Sequence, residues 1–170
     1  NTVFRLDLNQ AYTIEEVINL YNQLSSYQIE YIEEPVEKPT VDAISKIKKH
    51  TQFALALDES IINGNYDSMI TSNNIDYAIL KAPLFGSIKK IMLFKSYLEK
   101  YNVSLILSSC LQSPIGNMSQ IHIASALELD GDHGLNNHVF FDYLGGIPYE
   151  IDSLSINLNH LVGLGVKYDY

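Results

Sequence analysis

With 170 residues, 46% of them hydrophobic, the chain is long enough for one domain with a real core and too apolar to be disordered. No apolar run approaches the roughly 20 residues of a membrane-spanning helix. Lys and Arg number 11 against 20 Asp and Glu, a net charge of −9, which argues against nucleic acid and anionic membrane as partners because both demand basic surface. The single cysteine, Cys110, rules out an intrachain disulfide framework and suits a reducing compartment, so cytoplasm is the expected location.

The chain opens with Asn1-Thr2-Val3-Phe4, with neither an initiator Met nor a leader pattern, and is read as part of a longer protein. Residues 2–8 predict a strand. Thr13 and Glu16 have capping-box spacing, and Ile14, Val17, Ile18, Tyr21 and Leu24 share one face of a helix over 14–25. A strand over 28–33 stops at Pro35, which lacks an amide donor and restricts the residue before it. Pro39-Thr40 opens a helix to about His50 with Val41, Ile44 and Ile47 inward, and 52–57 is the next strand. After the turn residues Asn63-Gly64-Asn65 comes a short helix over 66–72, then a strand over 76–81 and a loop over 83–86.

Ser87 caps a helix over 88–100 with Ile88, Ile91, Met92 and Leu98 inward, and 103–107 is the fifth strand. Gly116-Asn117 lead into a helix over 118–129, its inner face Ile121, Ala124, Ser125 and Leu127. Beyond Asp130 the periodicity weakens. Leu135 to Asn137 read as a last short strand, His133 and His138 as loop histidines, and 163–169 as a peripheral tail. All 170 residues are read as one domain.

Apolar strands alternating with amphipathic helices predict a parallel sheet covered by helices. Both an open doubly wound sheet and a (β/α)8 barrel satisfy that pattern. The ends of the strands separate the two. Asp7, Glu33 and Asp58 close three successive strands at intervals of 26 and 25 residues, Lys81 closes a fourth 23 residues on, and Ser108-Ser109 close a fifth. Only in a barrel do all strand ends converge on one site. Five strong strands leave two or three to sequence upstream. Three carboxylates with no His or Cys among them suit Mg2+, or Mn2+, over Zn2+. The plainer alternative is that strand-end acids cap the following helices or face solvent.

These residues also carry a resemblance. Arg5-Leu6-Asp7-Leu8-Asn9, Ile32-Glu33-Glu34-Pro35, Leu57-Asp58-Glu59-Ser60 and Leu80-Lys81 resemble the metal-ligand and lysine strand ends of the enolase superfamily, nearest its muconate lactonizing enzyme subgroup. The run from Ser108 to Gly116 resembles the seventh-strand loop of o-succinylbenzoate synthases, and Gly163-Leu164-Gly165-Val166 the subgroup's C-terminal segment. The resemblance implies the C-terminal portion of a (β/α)8 barrel, with an N-terminal capping domain and the first strands absent. It implies Asp7, Glu33 and Asp58 as ligands of one Mg2+, Glu34 and Glu59 as supporting residues behind them, and Asn9, Ser108 and Ser109 beside a small-molecule carboxylate substrate. Lys81 would be the catalytic lysine. The K-x-K strand that carries the opposing base in that pattern is not among the 170 residues, so they are expected to be inactive without the missing N-terminal part of the same protein.

The implied function is a Mg2+-dependent lyase of menaquinone biosynthesis that forms o-succinylbenzoate by dehydrating a cyclohexadiene carboxylate. The alternatives are an N-acyl amino acid racemase or dipeptide epimerase of the same superfamily, or an inactive fragment. A dipeptide epimerase carries D-x-D at its eighth strand, and His133-Gly134-Leu135-Asn136 does not.

Overall fold

The computed structural model describes residues 2–135 and 155–166. In chain order the elements are β1 (Val3–Asp7), α1 (Ile14–Gln23), β2 (Gln28–Glu33), α2 (Val41–His50), β3 (Leu55–Leu57), α3 (Glu59–Ile62), α4 (Asp67–Thr71), β4 (Tyr77–Leu80), α5 (Ala82–Phe85), α6 (Ile88–Glu99), β5 (Ser104–Leu107) and α7 (Pro114–Ala126). The five strands form one sheet in the order β1-β2-β3-β4-β5, and the first three pairs are parallel. A doubly wound sheet reverses its strand order at a switch point, whereas a barrel keeps its strands in sequence. The observed order is the barrel's.

The chain divides into two compact units, Asn1–Leu80 with Leu93–Leu105, and Lys81–Met92 with Ile106–Tyr170. In the first, the register pairs Arg5 with Tyr31, Asp7 with Glu33, Glu33 with Ala56, and Ala56 with Tyr77. Because side chains alternate across a strand, these residues share one face of the sheet. Arg5 donates to Glu30 through Nε and Nη2 at 2.7 and 3.0 Å and lies 5.1 Å from the Tyr31 ring centre. Tyr31 and Tyr77 rings are 4.8 Å apart, so aromatic and charged groups together fill this face. The opposite face carries Ile32, Leu55, Leu57, Ala78 and Leu80, buried in a core that also holds Val17, Ile44, Ile47, Met69 and Ile70.

Local chemistry sets the helix ends. Thr13 and Glu16 form the expected capping box on α1, and Thr40 Oγ accepts the Ala43 amide of α2. At the other end of the sheet, Lys48 donates to Asp76 at 2.7 Å while Asp76 accepts the Leu55 amide at 2.8 Å, which anchors the start of β3.

In the second unit, β5 ends at Leu107, and Ser108 forms a parallel bridge with Gly134. Leu107 accepts the Gly134 amide and Ser109 donates to the Gly134 carbonyl, which ties residue 134 to the end of β5 just before the expected last strand. A Cβ on Gly134 would meet Ser108 Oγ at 3.3 Å, which makes glycine the fitting residue at that approach. Asn136, Asn137, His138 and residues 167–169 of the expected tail lie outside the described residues.

Several boundaries differ from the sequence reading. Residues 82–85 are the short helix α5 rather than a loop, since proline tolerates a first helical turn and Gly86, at φ 116, then closes it. The helix expected from 118 begins at Pro114, and its Gly116 leaves room for Gln112, whose side chain a Cβ would strike at 2.7 Å. Its buried residues are Asn117, Met118, Gln120, Ile121 and Ala124, with Ser125 exposed. On α6 the buried positions are Ile91, Phe94 and Leu98, while Ile88 and Met92 are 56% and 51% exposed. That helix is apolar at Ile91, Met92, Leu93 and Phe94 in succession, so its pattern left the inner face ambiguous.

Candidate active site

Three strand ends build the site, each acid placed by the strand before it. Asp7 and Glu33 close β1 and β2 on directly paired positions. Ala56 pairs with Glu33, and Asp58 stands two residues further along, so the alternation puts it on the same face. Asp58 is 2% exposed and occupies the N-cap position of α3, yet its side chain makes no capping hydrogen bond. Helix capping therefore does not account for this acid. Asp7 is exposed and accepts the Asn9 amide at 2.9 Å, a local turn contact.

The residues just past the strands hold unusual backbone angles. Asn9, Gln10 and Glu34 have φ of 46, 57 and 40°, the left-handed region that costs non-glycine residues on the order of 1–3 kcal/mol each. Hydrogen bonds offset that cost. The Gln10 amide donates to the Glu34 carbonyl at 2.8 Å and the Leu8 amide to the Glu33 carbonyl at 3.0 Å. The Glu34 carboxylate is completely buried. It accepts the amides of Asp58 and Ser60 on Oε1, both at 2.8 Å, and Ser60 Oγ and Gln10 Nε2 on Oε2 at 2.9 and 2.8 Å. Four donors around one carboxylate compensate its desolvation. The sequence reading singles out neither Gln10 nor Ser60; the only hint is their position three and two residues beyond a strand-end acid. Glu59 is the first residue of α3 and half-buried.

A cleft of about 870 Å3 opens nearby, bordered by Gln10 and Ser60 and lined further by Thr40, Asn65 and Asp67. Its volume suits a small molecule. None of Asp7, Glu33 and Asp58 lines it. Among the described residues no group of three His, Cys, Asp or Glu side chains stands close enough to hold a metal ion. The donor set nevertheless fits a hard divalent cation: three carboxylates, same-face positions, adjacent parallel strands.

Burial pushes the Tyr31 phenol up to about 12, against the pull of Arg5 and with the Glu33 and Glu30 carboxylates adding to it. Burial likewise raises Tyr77. Both phenols on this face are neutral at physiological pH and so cannot serve as proton acceptors there.

Lys81 opens the second unit, half-buried, with an extended backbone at φ −89° and ψ 91°. Its carbonyl accepts the Leu84 and Phe85 amides, which starts α5 directly behind it. Ser108 and Ser109 are half-buried, and Ser109 Oγ accepts the Leu111 amide at 3.0 Å and donates to Gln112 Oε1 at 3.3 Å. Cys110 is a free thiol with its amide held by the same Gln112 oxygen at 2.9 Å. Among the described residues no helix is long and apolar enough to cross a membrane.

Parallel strands in sequence order, each followed by a helix and each delivering polar groups at its C-terminal end, define a β/α-barrel domain. The particular barrel follows from comparison. The chain belongs to the enolase C-terminal domain-like family, which matches residues 1–170, and is the C-terminal portion of an enolase-superfamily barrel. It is 24% identical over 173 residues to the hydrophobic dipeptide epimerase of Enterococcus faecalis, covering 96% of this chain and 48% of that protein. It is 23% identical over 124 residues to o-succinylbenzoate synthase of Thermobifida fusca, covering 72% of this chain and 38% of that one. The solved dipeptide epimerase from Enterococcus faecalis superposes with a TM-score of 0.80 at 20% identity, over 98% of this chain and 49% of that chain. The L-Ala-D/L-Glu epimerase from Bacillus subtilis does so with a TM-score of 0.76 at 20% identity, over 86% and 42%. The chain thus spans about half the length of the curated relatives it matches, or less.

Proposed function

We propose that this chain is the metal-binding part of an enzyme that removes a proton next to a substrate carboxylate, and that the reaction is a dehydration forming o-succinylbenzoate. The observation that carries the first half is the shared face of Asp7, Glu33 and Asp58 at three consecutive strand ends. Those three would hold Mg2+, with Mn2+ as a substitute. Bound there, the cation would supply Lewis-acid stabilisation of the charge that develops as the α-proton leaves. Glu34 and Glu59 would support the ligands from behind, and Asn9 would lie beside the substrate. Lys81 presents an ammonium that stabilises negative charge on the substrate carboxylate. Tyr31 and Tyr77, both neutral, do not accept that proton, and the family pattern would assign it to the K-x-K lysine on the opposite face. Ser108 and Ser109 offer hydroxyls and amides to a second substrate carboxylate. Cys110 as a free thiol accords with a cytoplasmic setting.

The preference for dehydration rests on residues 133–135. A substrate with a free amino group needs an acid at a strand's C-terminal end to pair with its ammonium. His133-Gly134-Leu135 offers none, and Asp130 and Asp132 precede Gly134, the residue that bridges to Ser108. Epimerisation is the second reading, favoured by the 96% coverage shared with two curated epimerases. Incubating the intact protein with Mg2+ in deuterium oxide tests both. Dehydration yields o-succinylbenzoate from the cyclohexadiene carboxylate. Deuterium entry and inversion at the α-carbon of dipeptides, without elimination, would overturn the lyase reading in favour of the epimerase.

A further inference from the structure

We propose that Glu34 is the positioning residue that sets the spacing of the three ligand-bearing strand ends; this rests on the metal reading above. The argument is one of connectivity. Glu34 itself follows β2. Its Oε2 takes Gln10 Nε2, three residues past the end of β1, and its Oε1 takes the amides of Asp58 and Ser60, just past β3. Its backbone repeats the pattern, with its carbonyl accepting the Gln10 amide and its own amide donating to Ala56 at 3.0 Å. One completely buried side chain therefore joins all three ends. The strained φ angles of Gln10 and Glu34 are the two sides of this same junction, so the strain lies where the link is made. Holding the Asp58 amide also fixes where the Asp58 carboxylate is presented, because the two lie on one residue with a defined backbone.

The link works by shape rather than by charge. In Glu34→Gln the remaining oxygen still accepts both amides. The new NH2 donates to Ser60 Oγ and, once the Gln10 amide turns over, to Gln10 Oε1. The isostere keeps every bond, whereas Glu34→Ala loses them all. Gln10→Asn tolerates the left-handed backbone but is one methylene too short to reach Oε2, and so cuts only the link to β1.

Mn2+ affinity of the intact protein, read by electron paramagnetic resonance alongside the metal-free melting temperature, tests this without using turnover. Glu34→Ala is expected to weaken Mn2+ binding about 10–100-fold, and Gln10→Asn about 10-fold with little change in metal-free melting, the range for residues that orient metal ligands. Glu34→Gln is expected to bind Mn2+ as the wild type does. If Glu34→Ala fails to fold, Gln10→Asn decides. Wild-type affinity in Gln10→Asn would overturn the proposal, as would a Glu34→Gln variant that falls as far as Glu34→Ala, because charge would then matter more than placement. A wild type that binds no Mn2+ would instead overturn the metal reading, and this inference with it.

Discussion

The ends of β1 and β3 carry the same chemical group but are held differently. Leu55, Ala56 and Leu57 of β3 are fully buried between β2 and β4, and Asp58 beyond them is anchored through Glu34. Among the described residues β1 pairs with β2 alone, Val3 and Phe4 are 54% and 41% exposed, and Asp7 is open to solvent. Burial on both faces and a neighbour on each side fix a strand end to within its packing. An edge strand lacks half of that constraint. In this protein the end of β3 is held by the core as well as by Glu34, whereas the end of β1 has its pairing with β2 and the Gln10 link to Glu34.

The largest effect is expected one strand beyond β3, where Leu80 is buried and Lys81 follows it. Lys81→Ala in the intact protein should lower kcat by about 10²–10³ while leaving Mg2+ binding nearly unchanged, the loss expected when a charge-stabilising group leaves a water-poor site. Lys81→Arg should restore little, since a planar fork does not occupy the place of a compact ammonium. Near-normal turnover by Lys81→Ala would show that the well-fixed strand ends are not where catalysis occurs. The same variant separates the two reactions. An epimerase would lose deuterium exchange on the lysine side, whereas a dehydratase would keep slow proton abstraction by the opposite base.

The packing contrast can be measured directly. Leu57→Ala removes a fully buried side chain and should cost about 2–5 kcal/mol by urea denaturation. Leu6→Ala, on a half-buried β1 position, should cost less than half as much. Equal losses would mean that β1 is as fixed as β3 and would break the comparison. The exposed edge itself should make this chain, produced alone, prone to association, and Phe4→Lys should reduce that, as charges on edge strands do. Light scattering across a concentration series would read it. A cooperatively unfolding monomer at every concentration would count against an adhesive edge.

The sequence carried the strand order and most of the strand ends, because continuous apolar runs closed by polar groups are a local signal. The 28–33 strand and the Thr13 cap fall where propensity alone puts them. What it did not carry depends on contacts between distant residues. Gly116 reads as the lead-in to a helix from 118 until it is seen inside the helix with the Gln112 side chain packed against it. Ile88 and Met92 read as core until Phe94, stacked near Tyr66 and Tyr97, is seen to take the inner face of α6. Glu34 was expected to support a ligand, but its four partners come from residues 24 to 26 positions away, on segments that no periodicity connects. Same-face placement of Asp7, Glu33 and Asp58 was legible from the alternation of strands; the distances among their carboxylates were not.

The smallest expected effect tests how α1, which follows the loosely held β1, is itself fixed. Thr13 Oγ accepts the Glu16 amide at 3.3 Å, while the Thr13 amide and hydroxyl both donate to Glu16 Oε2 at 2.8 Å. Those two donors, the backbone one foremost, hold the Glu16 carboxyl below its ordinary 4.5. A carboxyl whose folded value is depressed contributes stability that is fully present above its unfolded value and is lost as pH falls through the folded one. Thr13→Ala should cost on the order of 1 kcal/mol at neutral pH, as loss of a cap does. Its difference from wild type should shrink below pH 4.5, where Glu16 takes up a proton and the hydroxyl loses its charged acceptor. Other carboxylates titrate in the same range, so the comparison is made against Glu16→Gln, in which the Thr13→Ala cost should be small and flat with pH. A Thr13→Ala difference that stays constant from neutral to acid pH in both backgrounds would mean that the hydroxyl acts only through the Glu16 amide. The cap would then owe nothing to the carboxylate that reaches back to it.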